Sequence, residues 1–231
     1  MGKVFVIGLG AGDEGLITLK AFRILKGCDV VITPKSSLSA RSVALEIVRG
    51  IMDESKIEFF LFPTTNDEEQ LKEAYDKEAE RIKQLTDEGK SVAYTTIGDV
   101  SVYSTFNYLS ERLNRLGVDF EIIEGIPSFI SLADRVKKPL VLKGESFAVV
   151  ELKEGVDKIV KLFELVSTVV VMKIGNRIEQ LFELTDRLNL EYAYLGSKLY
   201  LDGEQIVDLL SARREEISDA YLSVAILKGA K

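Results

Sequence analysis

The 231-residue sequence has no histidine, no tryptophan, one cysteine and four prolines. The missing histidine excludes imidazole acid–base catalysis and histidine-containing zinc sites, and with them many hydrolase mechanisms. Cys28 has no second cysteine to pair with, and at the start of an apolar run it reads as a small buried hydrophobe rather than a reactive thiol. Long hydrophobic runs are absent too: none approaches the roughly 18 to 20 apolar residues that span a bilayer. The N-terminus enters a strand pattern without a basic segment or cleavage site, so a cytoplasmic location away from membranes is expected. Positive charge is also short. A net charge of −7 argues against a nucleic-acid partner, which normally calls for a clustered basic surface.

What the chain does have is ample material for a core, with 46% hydrophobic and 29% charged residues. Lys3 to Ile7 is a β-branched and aromatic run ending in the glycine-rich Gly8–Asp13. Leu16, Leu19, Ala21, Phe22 and Leu25 recur at helical spacing before Gly27, and Asp29 to Ile32 opens a second strand. Strands over 57–62, 91–95 and 119–123 alternate with helices over 67–88 and 102–116, which predicts a mostly parallel sheet covered on both faces. From Gly125-Ile126-Pro127-Ser128 the rhythm changes. A short helix over 129–136 precedes strands near 147–152, 168–172, 193–198 and 221–227, interrupted by helices near 156–165 and 177–188. The expected division is an N-terminal lobe over 1–117 and a C-terminal lobe with a mixed sheet over 118–231.

Two segments stand out chemically. Gly8–Asp13 follows a strand with closely spaced glycines, which suit either a tight structural turn or close approach of a nucleotide-like ligand. It departs from a dinucleotide fingerprint, because Asp13 replaces the third glycine and the second strand ends in Ile32-Thr33-Pro34-Lys35 without an acid. A nicotinamide oxidoreductase is therefore disfavoured. The other segment, Thr96 to Thr105, leaves a strand and enters a helix where α/β sheets hold ligands, although Asp99 or Ser101 alone would suit a helix cap.

Taken in order, Gly8–Asp13 with Leu16 to Ala21, Thr96-Ile97-Gly98-Asp99, Gly125-Ile126-Pro127-Ser128, Val169 to Lys173 and Tyr221-Leu222-Ser223 resemble the motif series of the tetrapyrrole methylases, from residue 3 to about 228. Thr33-Pro34-Lys35 with Ser42 to Ile47, and Gly98-Asp99 followed by Tyr103-Ser104-Thr105, are most similar to the precorrin-2 or cobalt-factor II C20-methyltransferases. Ala11 and Val100 stand where the family usually has proline, which removes rigidity but no functional group.

The resemblance implies two α/β lobes of the tetrapyrrole methylase fold, with S-adenosylmethionine folded in the cleft between them, and a homodimer. It implies donor contacts from Gly10, Ile97, Gly98, Asp99, Val102, Tyr103, Pro127 and Ser128, with Met172 and Gly196 against the adenosine. Core filling is the commoner fate for a residue such as Met172, which ends an apolar strand. Methyl transfer from a sulfonium asks the protein mainly for alignment and exclusion of water, so no protein-bound metal is expected. Asp99 and Asp13 are the carboxylates available to assist proton loss, against roles as donor ligands or loop caps. The acceptor carries many carboxylates, so a local basic patch is expected despite the acidic chain. Lys35, Arg41, Lys137 and Lys138 are its candidates, with Arg135 and Lys143 nearby and ordinary solvated charge as the alternative. The implied reaction is methylation of the C20 meso carbon of precorrin-2 or its cobalt-loaded form. The rivals are another member of the fold, such as a uroporphyrinogen-III or other precorrin methyltransferase, an rRNA ribose methyltransferase or a diphthine synthase, and a non-catalytic nucleotide-binding module.

Overall fold

Strands and helices alternate strictly through the first part of the chain, and each buried strand is a run of residues able to pack on both faces. The computed structural model describes residues 2–35, 42–62, 65, 67–217 and 219–230. It separates into two units, Met1–Pro127 and Ser128–Lys231.

In the first unit β1 (Val4–Gly8), α1 (Leu19–Gly27), β2 (Val30–Lys35), α2 (Val43–Arg49), β3 (Ile57–Leu61), α3 (Glu68–Asp87), β4 (Val92–Thr96), α4 (Phe106–Arg115) and β5 (Phe120–Ile123) follow in sequence. Every strand pairing is parallel, in the order β3-β2-β4-β1-β5. Both faces are covered, as parallel sheets require. Val4, Val6, Ile32 and Tyr94 pack with Tyr75, Ala79, Ile82 and Leu85 of α3 and Phe106, Leu109 and Leu113 of α4. Ile7, Leu9, Val31 and Ala93 face the other way, against Ala21 and Leu25 of α1 and Ala44, Ile47 and Val48 of α2. The alternation along β1 assigns its side chains to the two layers. Helix starts are capped by short polar side chains: Thr18 accepts from the Ala21 amide, Ser42 from Leu45 and Asp67 from Glu69 and Gln70.

Three differences from the sequence expectations fall in this unit. The helix expected from Val102 begins at Phe106, because Tyr103 takes a left-handed φ of 50° and the Ser104 hydroxyl accepts the Phe106 amide at 3.2 Å. The first unit runs to Pro127 rather than 117, since β5 pairs in parallel with β1 and belongs to that sheet. Helix α2 was not anticipated as an element, although Ser42 to Ile47 was part of the motif series.

The second unit holds α5 (Ser128–Arg135), β6 (Phe147–Glu151), α6 (Val156–Leu162), β7 (Thr168–Met172), α7 (Ile178–Arg187), β8 (Leu190–Ser197), β9 (Gln205–Asp208) and β10 (Ser223–Gly229). Its sheet is mixed, as expected, in the order β6-β7-β10-β8-β9: β6 and β7 are parallel, while β10 runs antiparallel to β7 and β8. Val169, Val171, Leu195, Ala225 and Leu227 form a core with Ile159 of α6 and Leu181 and Leu184 of α7. Strand β9, which pairs with β8, was not expected from the sequence. Inside this unit Lys228 and Glu145 form an ion pair with side chains only 5% and 7% exposed.

Candidate functional site

In the first sheet the chain leaves β1 toward β2 on one side, whereas it leaves β4 toward β5 on the other. The carboxyl ends of these two neighbouring strands therefore mark the point where crossover direction reverses, the position at which open α/β sheets leave a crevice for ligands. Both glycine-containing loops singled out from sequence emerge there.

The loops are joined main chain to main chain. Gly10 and Gly98 form an isolated antiparallel bridge: the Gly98 amide donates to the Gly10 carbonyl at 2.7 Å, the Gly10 amide returns a bond to the Gly98 carbonyl at 3.2 Å, and the Leu9 amide donates to Thr96 at 2.9 Å. Gly10 and Gly98 have φ of 77° and 74°, which glycine adopts without strain. A third strand end completes the cluster. A Cβ on Gly125 would overlap the Gly98 carbonyl oxygen and stand 2.7 Å from the Gly8 carbonyl carbon, so close backbone contact demands glycine at 8 and 125. At Gly98 the same construction meets nothing within 4 Å, which leaves open space beside this residue for a ligand to approach.

Asp99 ties the cluster together. One carboxylate oxygen accepts the Ser101 amide at 2.8 Å and the other accepts the Gly125 amide at 3.0 Å. Asp99 is therefore not a helix cap; it braces two loops. Asp13 is engaged locally, accepting the Gly15 amide at 2.7 Å to start a 3-10 turn. The Thr96 and Ser104 hydroxyls lie 3.3 Å apart in the same loop, and Ile97 and Val102 are half-buried beside the exposed Tyr103. Ala11 and Val100, at the two positions that depart from the motif, are both buried, and Val100 belongs to the core with Tyr94 and Phe106. Lys35 ends β2 on the same sheet edge, its ammonium 4.2 Å from the centre of the Phe59 ring. Arg41 lies outside the described residues. Pro127 ends this unit and Ser128 opens α5 of the next.

In the second unit Met172 and Gly196 both pair with Val224 and so share one cross-strand row. Gly196 has a packing reason of its own: a Cβ there would come within 2.8 Å of Leu132 on α5 and 2.9 Å of Leu199. Met172 is half-buried. Lys137 and Lys138 are not brought to this row. They begin a loop fastened at the other end of the strands, where the Tyr192 hydroxyl donates to Pro139 at 2.5 Å, Thr168 donates to Leu140 at 2.5 Å, and Lys138 stacks over Tyr192 at 5.4 Å. Thr168 and Met172 stand at opposite ends of β7, about 13 Å apart at the usual strand rise.

Sequence reasoning put the Thr96 to Thr105 loop at the carboxyl edge of the sheet, and the structure brings the glycine-rich loop after β1 to the same edge. That reasoning missed Gly8 and Gly125 as the backbone floor under them, because a glycine required by neighbouring main chain has no signature of its own in a single sequence. Cys28 is buried, and burial pushes its thiol up to about 11, the inert state expected of a core residue. Among the described residues no helix is long and apolar enough to cross a membrane, and no group of three or more Cys, Asp or Glu is placed to hold a metal ion.

Comparison with known proteins matches residues 3–212 to the family described as tetrapyrrole (corrin/porphyrin) methylases. The probable cobalt-precorrin-2 C(20)-methyltransferase of Methanocaldococcus jannaschii is 33% identical over 226 residues, covering 98% of this chain and 96% of that protein. The cobalt-precorrin-2 C(20)-methyltransferase of Salmonella typhimurium is 30% identical, covering 88% and 86%. The fold is shared with the X-ray structure of a cobalt precorrin-4 methyltransferase, at a TM-score of 0.75 and 18% identity over 98% of this chain and 94% of that one. It is shared also with uroporphyrin-III C-methyltransferase from Thermus thermophilus, solved with S-adenosylhomocysteine, at a TM-score of 0.66 and 20% identity over 98% and 97%. With the family model matching residues 3–212 of the 231, this chain belongs to the tetrapyrrole methylases.

Proposed function

We propose that this protein transfers a methyl group from S-adenosylmethionine to the C20 meso carbon of precorrin-2, in its cobalt-loaded form, as a step of cobalamin synthesis. The observation that carries the reading is the 33% identity, end to end, with the probable cobalt-precorrin-2 C(20)-methyltransferase of M. jannaschii.

The residues at the switch point fit the donor. S-adenosylmethionine supplies a methyl already activated by its sulfonium, so the chain needs to bind, orient and exclude water rather than ionise a nucleophile. The paired loops offer backbone amides and carbonyls, the Thr96 and Ser104 hydroxyls, and the open space beside Gly98. In this reading Gly10, Ile97, Gly98, Val102, Tyr103, Pro127 and Ser128 hold the donor, with Met172 and Gly196 meeting its adenosine. Asp99 keeps the loops in place through its two amide bonds. Lys35 faces the acceptor's carboxylates, and proton loss from the meso carbon does not depend on Asp13 or Asp99. The protein acts in the cytoplasm as a homodimer without a resident metal or a nucleic-acid partner.

Calorimetry with S-adenosylhomocysteine is the first test, with micromolar binding expected; no binding at tens of micromolar would overturn the methyltransferase reading. Incubation of labelled donor with metal-free and cobalt-loaded precorrin-2, read by mass spectrometry, then fixes the acceptor. Light scattering on the purified protein reads the dimer.

A further inference from the structure

The Met172, Val224 and Gly196 row marks one end of the second sheet's strands, and the turn that leaves β7 there carries two cations that pair with no described residue. Lys173 follows Met172 with φ of 55°, a left-handed conformation that residues other than glycine adopt uncommonly and that clusters at functional sites. Ile174 is buried in the core and anchors the turn, Gly175 also takes positive φ, and the Arg177 amide closes onto the Ile174 carbonyl at 3.0 Å before α7 begins. Lys173 and Arg177 are thus presented, exposed, from the two ends of a short braced turn.

Four other cations of the second unit are paired. Lys198 pairs with Asp219 at 2.7 Å and holds that carboxyl below the usual carboxylate range. Lys153 pairs with Glu151, Arg214 with Glu179 at 2.6 Å, and Arg135 with Glu204 at 2.5 Å. Lys173 and Arg177 have no ion-pair partner among the described residues, so the turn presents two positive charges that no ion pair neutralises, on a chain whose net charge is −7.

We infer that Lys173 and Arg177 are the carboxylate-recognition pair for the acceptor, presented from the strand ends that carry Met172 and Gly196. This rests on the proposed methyl transfer to a tetrapyrrole, whose side chains are carboxylates. Arg177 offers a planar fork suited to bidentate binding of one carboxylate and Lys173 a point charge for another. The left-handed turn fixes where these charges emerge, and the two together draw in an anion that the chain as a whole repels.

The test is an absorbance titration of cobalt-loaded precorrin-2 into the S-adenosylhomocysteine complex of the full chain, at several salt concentrations. The variant Lys173→Gly with Arg177→Ala removes both charges while keeping a residue that tolerates the backbone; Lys158→Ala with Lys161→Ala on α6 removes the same charge elsewhere. The first variant is expected to bind acceptor about three- to tenfold more weakly, as two exposed charge pairs allow, with a shallower salt dependence and unchanged S-adenosylhomocysteine affinity. The α6 variant should match the wild type. Unchanged acceptor affinity and salt slope in the first variant would overturn the pair, as would an equal loss in the α6 variant. Failure of the wild type to bind S-adenosylhomocysteine overturns instead the methyltransferase reading beneath it.

Discussion

The Asp99 carboxylate accepts the Gly125 amide at 3.0 Å while its other oxygen accepts the Ser101 amide, so a single side chain fastens the end of β5 to the loop that leaves β4. An asparagine can offer its one carbonyl oxygen to only one of these donors and turns an amide toward the other. Asp99→Asn should lose about 1 to 3 kcal/mol of stability, the range for hydrogen bonds to a charged acceptor. Urea denaturation reads the loss, and weaker S-adenosylhomocysteine binding should accompany it. Wild-type stability in the variant would mean that the brace contributes nothing.

Glycines 98 and 125 should respond differently to substitution. Gly125→Ala forces a methyl group into the Gly98 carbonyl and the Gly8 main chain, and no side chain there can yield. Soluble, folded protein should not be recovered. Gly98→Ala meets only the penalty of a left-handed alanine, about 1 kcal/mol. Gly98→Leu should fold nearly as well as Gly98→Ala, but fill the open space and abolish S-adenosylhomocysteine binding by calorimetry.

Glu78 is a buried acid in the core of the first unit. It is 4% exposed, one of its oxygens has no hydrogen-bond partner, and burial pushes its carboxyl up to about 10, so it is held neutral beside Tyr75 and Tyr94. The unfolded chain gives up this proton near pH 4.5 and the folded chain near pH 10, so stability is full below the first value and lost progressively between them. Glu78→Gln removes that dependence. The variant should be more stable than wild type by about 1 to 3 kcal/mol near pH 7, bounded by ~1.4 kcal/mol per pH unit, with the gain vanishing near pH 4. Thermal melts across pH check this; a constant difference at both pH values would contradict it.

The buried Lys228 and Glu145 pair should behave oppositely to a surface ion pair. Glu145→Ala strands the ammonium in the core and should lose about 3 to 5 kcal/mol, whereas replacing both partners by Leu and Met should recover most of it. The double-mutant cycle on chemical denaturation measures the coupling, and additive losses would refute it.

Much of this molecule was legible from residue patterns, and the failures have physical reasons. Runs such as Val92 to Thr95 and Val169 to Val171 announced themselves because burial on both faces leaves no polar alternation to obscure them. Strand β9 did not, because Gln205 to Asp208 is a four-residue edge strand with a polar residue at each end, too short to show an alternation that a loop would lack. Leu71, Tyr75, Ala79, Ile82 and Leu85 were read correctly as the inner face of α3, yet Glu78 lies three residues from Tyr75 and four from Ile82, on that same stripe. Its place in the core was available from spacing and was hidden by its charge. At the site, motif order found the loops of Gly10 and Gly98. It could not reveal that Asp99 would spend both oxygens on backbone amides, or that the strands would put Lys137 and Lys138 at the end of the second sheet away from Met172.

Of the strands in its sheet, β1 leaves the ribosome first and is among the last to find its place. Its neighbours are β4 and β5, with Val4 set against Val92 on one side and Phe120 on the other, so it can only wait while some 90 residues are made. Pairings this distant in sequence are slow to close. The first 91 residues alone would hold β1 and β2 with nothing to join them, since β4 lies between. The pairing that sets the Gly10 loop beside Gly98 thus waits for β4, and the Gly125 end of the cluster waits longer still, for β5, so a nascent chain has no complete ligand crevice until its first unit is made.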